Sequence, residues 1–266
     1  MTLVLVHKGE VLRGAMAVDL VDELLAFARG RLAKAALPAV LKARATLFAE
    51  AQPAMAADMM ELFDGLLSRA GVSKDVAFPL DPDADVDWED EKARLRVVLE
   101  RWYVVMGEAA YAALGEQLGV ELTFDLAAVS TKGVRALIGI HVTSITDTLL
   151  ELLRNRVEDA IARGLSIEQL VRGTDTVEGL RELFGSRAET IALSETATAY
   201  NRASSAGYRE SGLIDGVEIF DGPECGWPEH DDPDLADGST RTLDEFDEYP
   251  IAHPNCQRAG GPVVAR

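Results

Sequence analysis

Apolar residues recur at intervals of three and four through most of the first 212 positions, a spacing that predicts helices rather than strands. Residues 10–35 and 38–70 are rich in Ala and Leu and read as two helices, the second starting on Pro38, whose fixed φ suits a first helical position. FPLDPDADVD (78–87) breaks the pattern with prolines and aspartates and reads as a linker. Asp87 then caps a long helix that turns Leu95, Val98, Leu99, Trp102, Val105, Met106, Ala109 and Ala113 to one face. Trp102, Tyr103 and Tyr111 read as core, because a base-stacking platform would place lysines and arginines beside them. A second linker, 119–133, leads into another long helix with Val134, Ile138, Val142, Ile145, Leu149, Leu152 and Ile161 at helical spacing, ended by Gly164. His141 lies near that apolar face and reads as an ordinary packed or half-exposed histidine. Ser166/Gln169, Asp175/Glu178 and Ser186/Glu189 each have capping-box spacing, so three further helices are expected, the last from about Arg187 to Arg209.

After Gly212 the helical spacing stops. Gly, Pro and Asp dominate, and only GVEIF (216–220) and GPVVA (261–265) have strand composition. The predicted fold is therefore mainly α: long helices forming an elongated helical body, followed by a small irregular α+β C-terminal domain with few short strands. The expected divisions are an N-terminal helical region (1–120), a helical core (121–212) and a small acidic C-terminal domain (213–266). So short and acidic a tail makes a poor core and would benefit from a staple.

Composition narrows the function. The 266 residues are 48% hydrophobic and carry a formal net charge of −19, a balance that repels polyanions. Residues 215–250 hold thirteen Asp or Glu against one base, Arg241, either a solvated surface or a docking face for a basic partner. There is no signal-peptide pattern and no unbroken 18-residue apolar run, which points to a soluble, unexported chain. Two cysteines make no disulfide framework.

Both cysteines and two of the four histidines nevertheless fall within 32 positions, in CGWPEH and YPIAHPNCQR. Cys225, His230, His253 and Cys256 form two short-spaced pairs of nitrogen and sulfur donors, as a structural zinc site requires, and Pro228 and Pro254 stiffen the loops that carry them. Other readings remain open: buried apolar cysteines, a disulfide between them, or a turn-closing hydrogen bond from His253. Four ligands would leave no open catalytic position, and no phosphate-binding or calcium-binding loop occurs.

The C-terminal half, about residues 120–266, resembles the phage Mu F-like minor head proteins, also called phage head morphogenesis proteins. ARGLSIEQLV (162–171) looks like that family's helix, Gly turn and next helix. SRAETIALSETATAYNRASSAGY (186–208) looks like its long helix, through Arg187, Ile191, Ser194, Glu195, Tyr200 and Asn201, and YPIAHPNCQR looks like its terminal His-Pro-x-Cys-Arg-Cys signature. Pro228 and Arg258 stand where members often have cysteines; His230 and His253 would keep the ligand count at four. The resemblance implies a minor structural protein of a tailed-phage head, made in the host cytoplasm, meeting the portal protein and capsid or scaffold proteins, and held in the capsid interior of the virion. It implies a role in head morphogenesis and DNA packaging or ejection, with no catalysis, no direct grip on nucleic acid and no membrane. The alternative is a capsid-maturation or toxin-like enzyme carrying such a region. The N-terminal helices would be the portal-binding end. Glu189, Glu195, Asn201 and Arg202 either orient the tail through hydrogen bonds or form a solvated face, and the solvated face is the expectation.

Overall fold

The computed structural model describes residues 6–7, 10–11, 37–71, 81–118, 121–127, 132–221, 238–256 and 258–264. Six helices occur among them: α1 (Leu37–Arg69), α2 (Trp88–Leu118), α3 (Lys132–Arg163), α4 (Ile167–Arg172), α5 (Leu180–Ser211) and α6 (Leu243–Glu248). Two-residue strands β1 (Val6–His7) and β2 (Glu10–Val11) pair antiparallel. Strands β3 (Ile214–Phe220), β4 (Thr240–Thr242) and β5 (Ala259–Val264) form an antiparallel sheet in the order β4-β3-β5. The mainly helical body with a small α+β end is the predicted fold class. The first predicted helix, 10–35, lies outside the described residues apart from Glu10–Val11, which are extended.

The caps explain most of the boundaries. Pro38 sits in the first turn of α1. The Asp87 carboxylate accepts the Asp90 N–H at 3.1 Å, and Glu89, Asp90 and Glu91 follow where the helix dipole favours negative charge. Arg69 at the end of α1 grips Glu91 at the start of α2 with two parallel hydrogen bonds of 2.5 and 2.6 Å, clamping the two ends together. Gly164 ends α3 at φ 68°, and Ser166 and Gln169 make the expected reciprocal cap of α4.

Two of the three expected caps are not caps. Thr174 and Val177, flanking Asp175, exchange backbone hydrogen bonds in a tight turn, and the spacing to Glu178 starts no helix. The turn closes because Gly173, at φ 82°, and Gly179 approach so closely that a Cβ on Gly179 would lie 2.3 Å from the Gly173 nitrogen. Ser186 lies inside α5, which starts at Leu180 behind Gly179 with no side-chain cap. Two helices therefore stand where three were expected.

One core unites residues from Phe48 on α1 to Ala203 on α5, so helices on both sides of residue 120 share it. The predicted stripes are right at their centres and drift at their ends. Leu95, Leu99 and Met106 of α2 are buried, but Tyr103 and Ala110 take the inward positions and Val105 is exposed. On α3 the stripe continues through Leu153, Val157 and Ala160, leaving Ile161 51% exposed. A rigid 3.6-residue period slowly rotates a fixed spacing away from the contact line. Helix α3 is also long and apolar enough to cross a membrane by length and composition, at mean hydropathy 1.4 over its best window, although it contains no unbroken apolar run.

Helix α5 is enclosed. From Glu195 to Tyr208 every residue except Arg202 is buried, and the helix meets α1, α2, α3, α4, α6, β3 and β5. Its Ala, Ser, Thr and Gly residues permit this: Gly207 lets α2 approach so closely that a Cβ there would lie 2.9 Å from Leu114. The C-terminal sheet builds a second core from Leu213, Val217, Ile219, Leu243 and Phe246, completed by Leu114 of α2 and Tyr208 of α5. A tail too small for an independent core thus packs its apolar face on the helix ends.

Candidate functional site

Residues 249–256 run across α5, and residues 251–254 form one wall of a cleft. His253, Pro254, Asn255 and Cys256 make a tight turn, closed by the Cys256 N–H donating to the His253 carbonyl at 3.1 Å. Pro254 occupies the second position, where its ring presets φ, and Asn255 the third, at φ 66°, the left-handed conformation that a type II turn demands there. The His-Pro-Asn-Cys string is in this way a complete turn specification.

Side chains fasten this turn to the helical body. Asn201 of α5, 1% exposed, donates its amide to the Pro250 carbonyl at 2.6 Å and the Arg258 carbonyl at 2.9 Å. Arg44 of α1 donates to the same Arg258 carbonyl at 2.6 Å, and its guanidinium lies 4.1 Å from the centre of the Phe48 ring. Burial lowers the Arg44 pKa to about 10, an effect partly offset by Tyr200 and Cys256. The Asn255 N–H donates to Ser194 Oγ at 3.1 Å. Arg258, 2% exposed, is held by Asp221 through two hydrogen bonds of 2.7 and 3.1 Å, joining the end of β3 to the start of β5. Buried ions tolerate this setting only when paired with good geometry, as here.

Glu195 and Asn201 are therefore not a solvated face, contrary to the sequence expectation. Glu195, 7% exposed, accepts the Tyr103 hydroxyl at 2.9 Å and stands 2.7 Å from His141 Nδ1, tying α2, α3 and α5 together. An ionised carboxylate only accepts, so Nδ1 carries the proton and Nε2 is left as the second ring position. Burial, then the Glu195 charge, raises the Tyr103 pKa well above the usual phenol value. Glu189 is exposed, and Arg202 is half-buried beside Asp247. No helical period reveals this arrangement, because Ser, Thr and Ala score as neither face of an amphipathic helix. The nearest signal is the clustering of Glu195, Tyr200 and Asn201 on an otherwise small-residue segment.

Of the four predicted zinc ligands, Cys225 and His230 lie outside the described residues. The other two share the turn: Cys256 is 1% exposed with its Sγ accepting the Arg258 N–H at 3.3 Å, and His253 Nδ1 donates to the Pro254 carbonyl at 2.7 Å. Both bonds are of the kind that orient metal ligands, so the donor chemistry at this half fits a zinc site. No cluster of three or more His, Cys, Asp or Glu suited to a metal occurs among the described residues.

The cleft itself has a volume of about 260 Å³ between α3, α5 and residues 251–254. One stripe of α5, Arg187, Thr190, Ile191, Ser194, Glu195 and Thr198, forms its floor, and His141, Ile145, Ile251 and His253 stand at its sides. No family model, curated protein or solved structure matches the chain.

Proposed function

We propose that the chain is a minor structural protein of a tailed-phage head, associated with the portal and the capsid interior and acting in head morphogenesis and DNA packaging or ejection. One observation carries this reading beyond the sequence resemblance. Two residues of the resemblance, Ser194 and Asn201, spend side-chain polar groups on bonds that fasten the terminal turn to α5: Asn201 holds the Pro250 and Arg258 carbonyls, and Ser194 the Asn255 N–H. Such residues serve a shape that must survive assembly, and the reading assigns the chain no catalysis. The acidity fits storage beside packaged DNA without gripping it, since a net charge of −19 opposes association with phosphates. The reading places the chain in the host cytoplasm during assembly, away from membranes, with portal and capsid or scaffold proteins as partners.

The same reading assigns a structural zinc to Cys225, His230, His253 and Cys256. Elemental analysis of protein purified without chelator is expected to give one zinc per chain, lost in His253→Ala; metal-free protein with the same melting temperature removes the assignment. The portal-binding end is placed in the N-terminal helices. Removing residues 1–85 does not test that placement, because α1 supplies Met55, Met59 and Phe63 to the core. Surface substitutions on the full chain do.

The deciding experiment is mass spectrometry of purified particles from a phage that encodes the chain, beside pull-down of the full chain with portal rings. A fixed number of copies per particle and retention on the portal are expected. Particles that are infectious and lack the chain refute the proposal.

A further inference from the structure

The cleft beside the His253–Cys256 turn contains two polar groups that the fold leaves unanswered. Arg187 has a buried Nε with no hydrogen-bond partner, and no hydrogen bond or ion pair joins its guanidinium to any other described residue. Its neighbours on the stripe are already committed: Thr190 donates to the Ser186 carbonyl, Ser194 donates to the Thr190 carbonyl and accepts from Asn255, and Glu195 is taken by Tyr103 and His141. At the other end of the stripe, Thr198 is 2% exposed and its Oγ also lacks a partner. Buried donors without partners are uncommon, since each forfeits the hydrogen bond it would make in water. Two of them lining one open cleft mark places where something else supplies the acceptor.

Three facts define that something. A guanidinium fork asks for a planar or tetrahedral oxyanion, a carboxylate or a phosphate. Apolar side chains, Ile145, Ile191, Ile251 and Pro254, line the cleft beside the polar ones. Eleven residues separate Arg187 from Thr198, about 16 Å along the helix axis at 1.5 Å per residue, so a bare ion reaches one end only. We propose that this cleft is a binding site for a small organic anion, with its carboxylate or phosphate head on Arg187, an apolar body against the isoleucines, and an acceptor directed toward Thr198. The electrostatics agree: burial lowers the Arg187 pKa, and the Glu195 charge offsets this only in part, so an anion at the guanidinium replaces lost solvation. The site stands on this geometry alone and holds whether or not the chain belongs to a phage head.

The test uses the full chain and three probes, inorganic phosphate, acetate and benzoate, followed through the ring signals of His141 and His253 by NMR. Saturable shifts are expected, tightest for benzoate if the head is a carboxylate and for phosphate if it is a phosphate. Arg187→Gln is expected to weaken the best probe about tenfold, the loss of one charge-assisted contact. Thr198→Val is expected to leave the binding of phosphate, acetate and benzoate unchanged, since none of them carries an acceptor far from its head. Arg187 makes no hydrogen bond to another described residue, so the Gln variant should melt with the wild type; Arg187→Lys, which keeps the charge and loses the fork, is expected to bind between the two. No saturable shift with any probe, or equal affinity in wild type and a folded Arg187→Gln, overturns the site.

Discussion

Asn201 ties the C-terminal segment to α5, because one amide satisfies two buried carbonyls 49 and 57 residues downstream. Asn201→Ala leaves the Pro250 carbonyl without that donor and the Arg258 carbonyl with Arg44 alone, and is expected to destabilise by about 2–4 kcal/mol in urea unfolding. Arg258→Met strips Asp221 of its guanidinium in a buried place and should cost about 3–5 kcal/mol by the same measurement. Asn255 gives the contrasting case. At φ 66°, Asn255→Gly should change stability by no more than about 0.5 kcal/mol, whereas the β-branched Asn255→Val should cost about 1–2 kcal/mol. Equal effects for the two substitutions would remove the turn assignment.

At the scale of elements, long helices and strong caps were legible from the chain and enclosure was not. Asp87, Pro38, Gly164 and the Ser166/Gln169 box act locally, through bonds within a turn or two, so their sequence neighbours suffice to place them. Ser186/Glu189 has the same spacing and fails, because Leu180 and Phe184 bury the turn before it and carry the helix through. Helix α5 reads as having a polar outer face because its surroundings, seven other elements, come from all along the chain. Helix α6 stands where no helix is expected although Thr242 and Glu245 make a full capping box, since the acid-rich sequence around it hides a six-residue helix. The candidate site was half legible: the turn residues His253 and Cys256 stood out, while Arg187, Glu195 and Tyr103 gain meaning only once three helices meet. Close approach at Gly107, where a Cβ would lie 2.4 Å from the Phe124 ring, makes a prediction at this scale. Gly107→Ala should destabilise by about 1–3 kcal/mol through overpacking, outweighing its gain in helix propensity.

For the molecule as a whole, charge and attachment are the governing quantities. Asp83 and Glu245 titrate below their ordinary values of 3.8 and 4.5, Asp83 through its hydrogen bond from Arg154 and Glu245 through the Thr242 backbone N–H. At these two groups the folded state then binds fewer protons than the unfolded chain, so their small, solvent-screened contribution to stability is present above about pH 4.5 and is lost as pH drops through the folded values. Thermal melts between pH 7 and pH 3 should show that decline; a melting temperature that rises on acidification below pH 4.5 would contradict it. The C-terminal segment is fastened to the helical body by shared, buried hydrogen bonds, and Arg44 and Asn201, which donate to one carbonyl, test that fastening together. In a double-mutant cycle of Arg44→Met and Asn201→Ala, the account predicts a double variant less stable than the sum of the singles by about 0.5 kcal/mol or more, because only the second removal leaves the carbonyl bare. Strict additivity would mean that the two side chains act independently and do not share that carbonyl as one fastening.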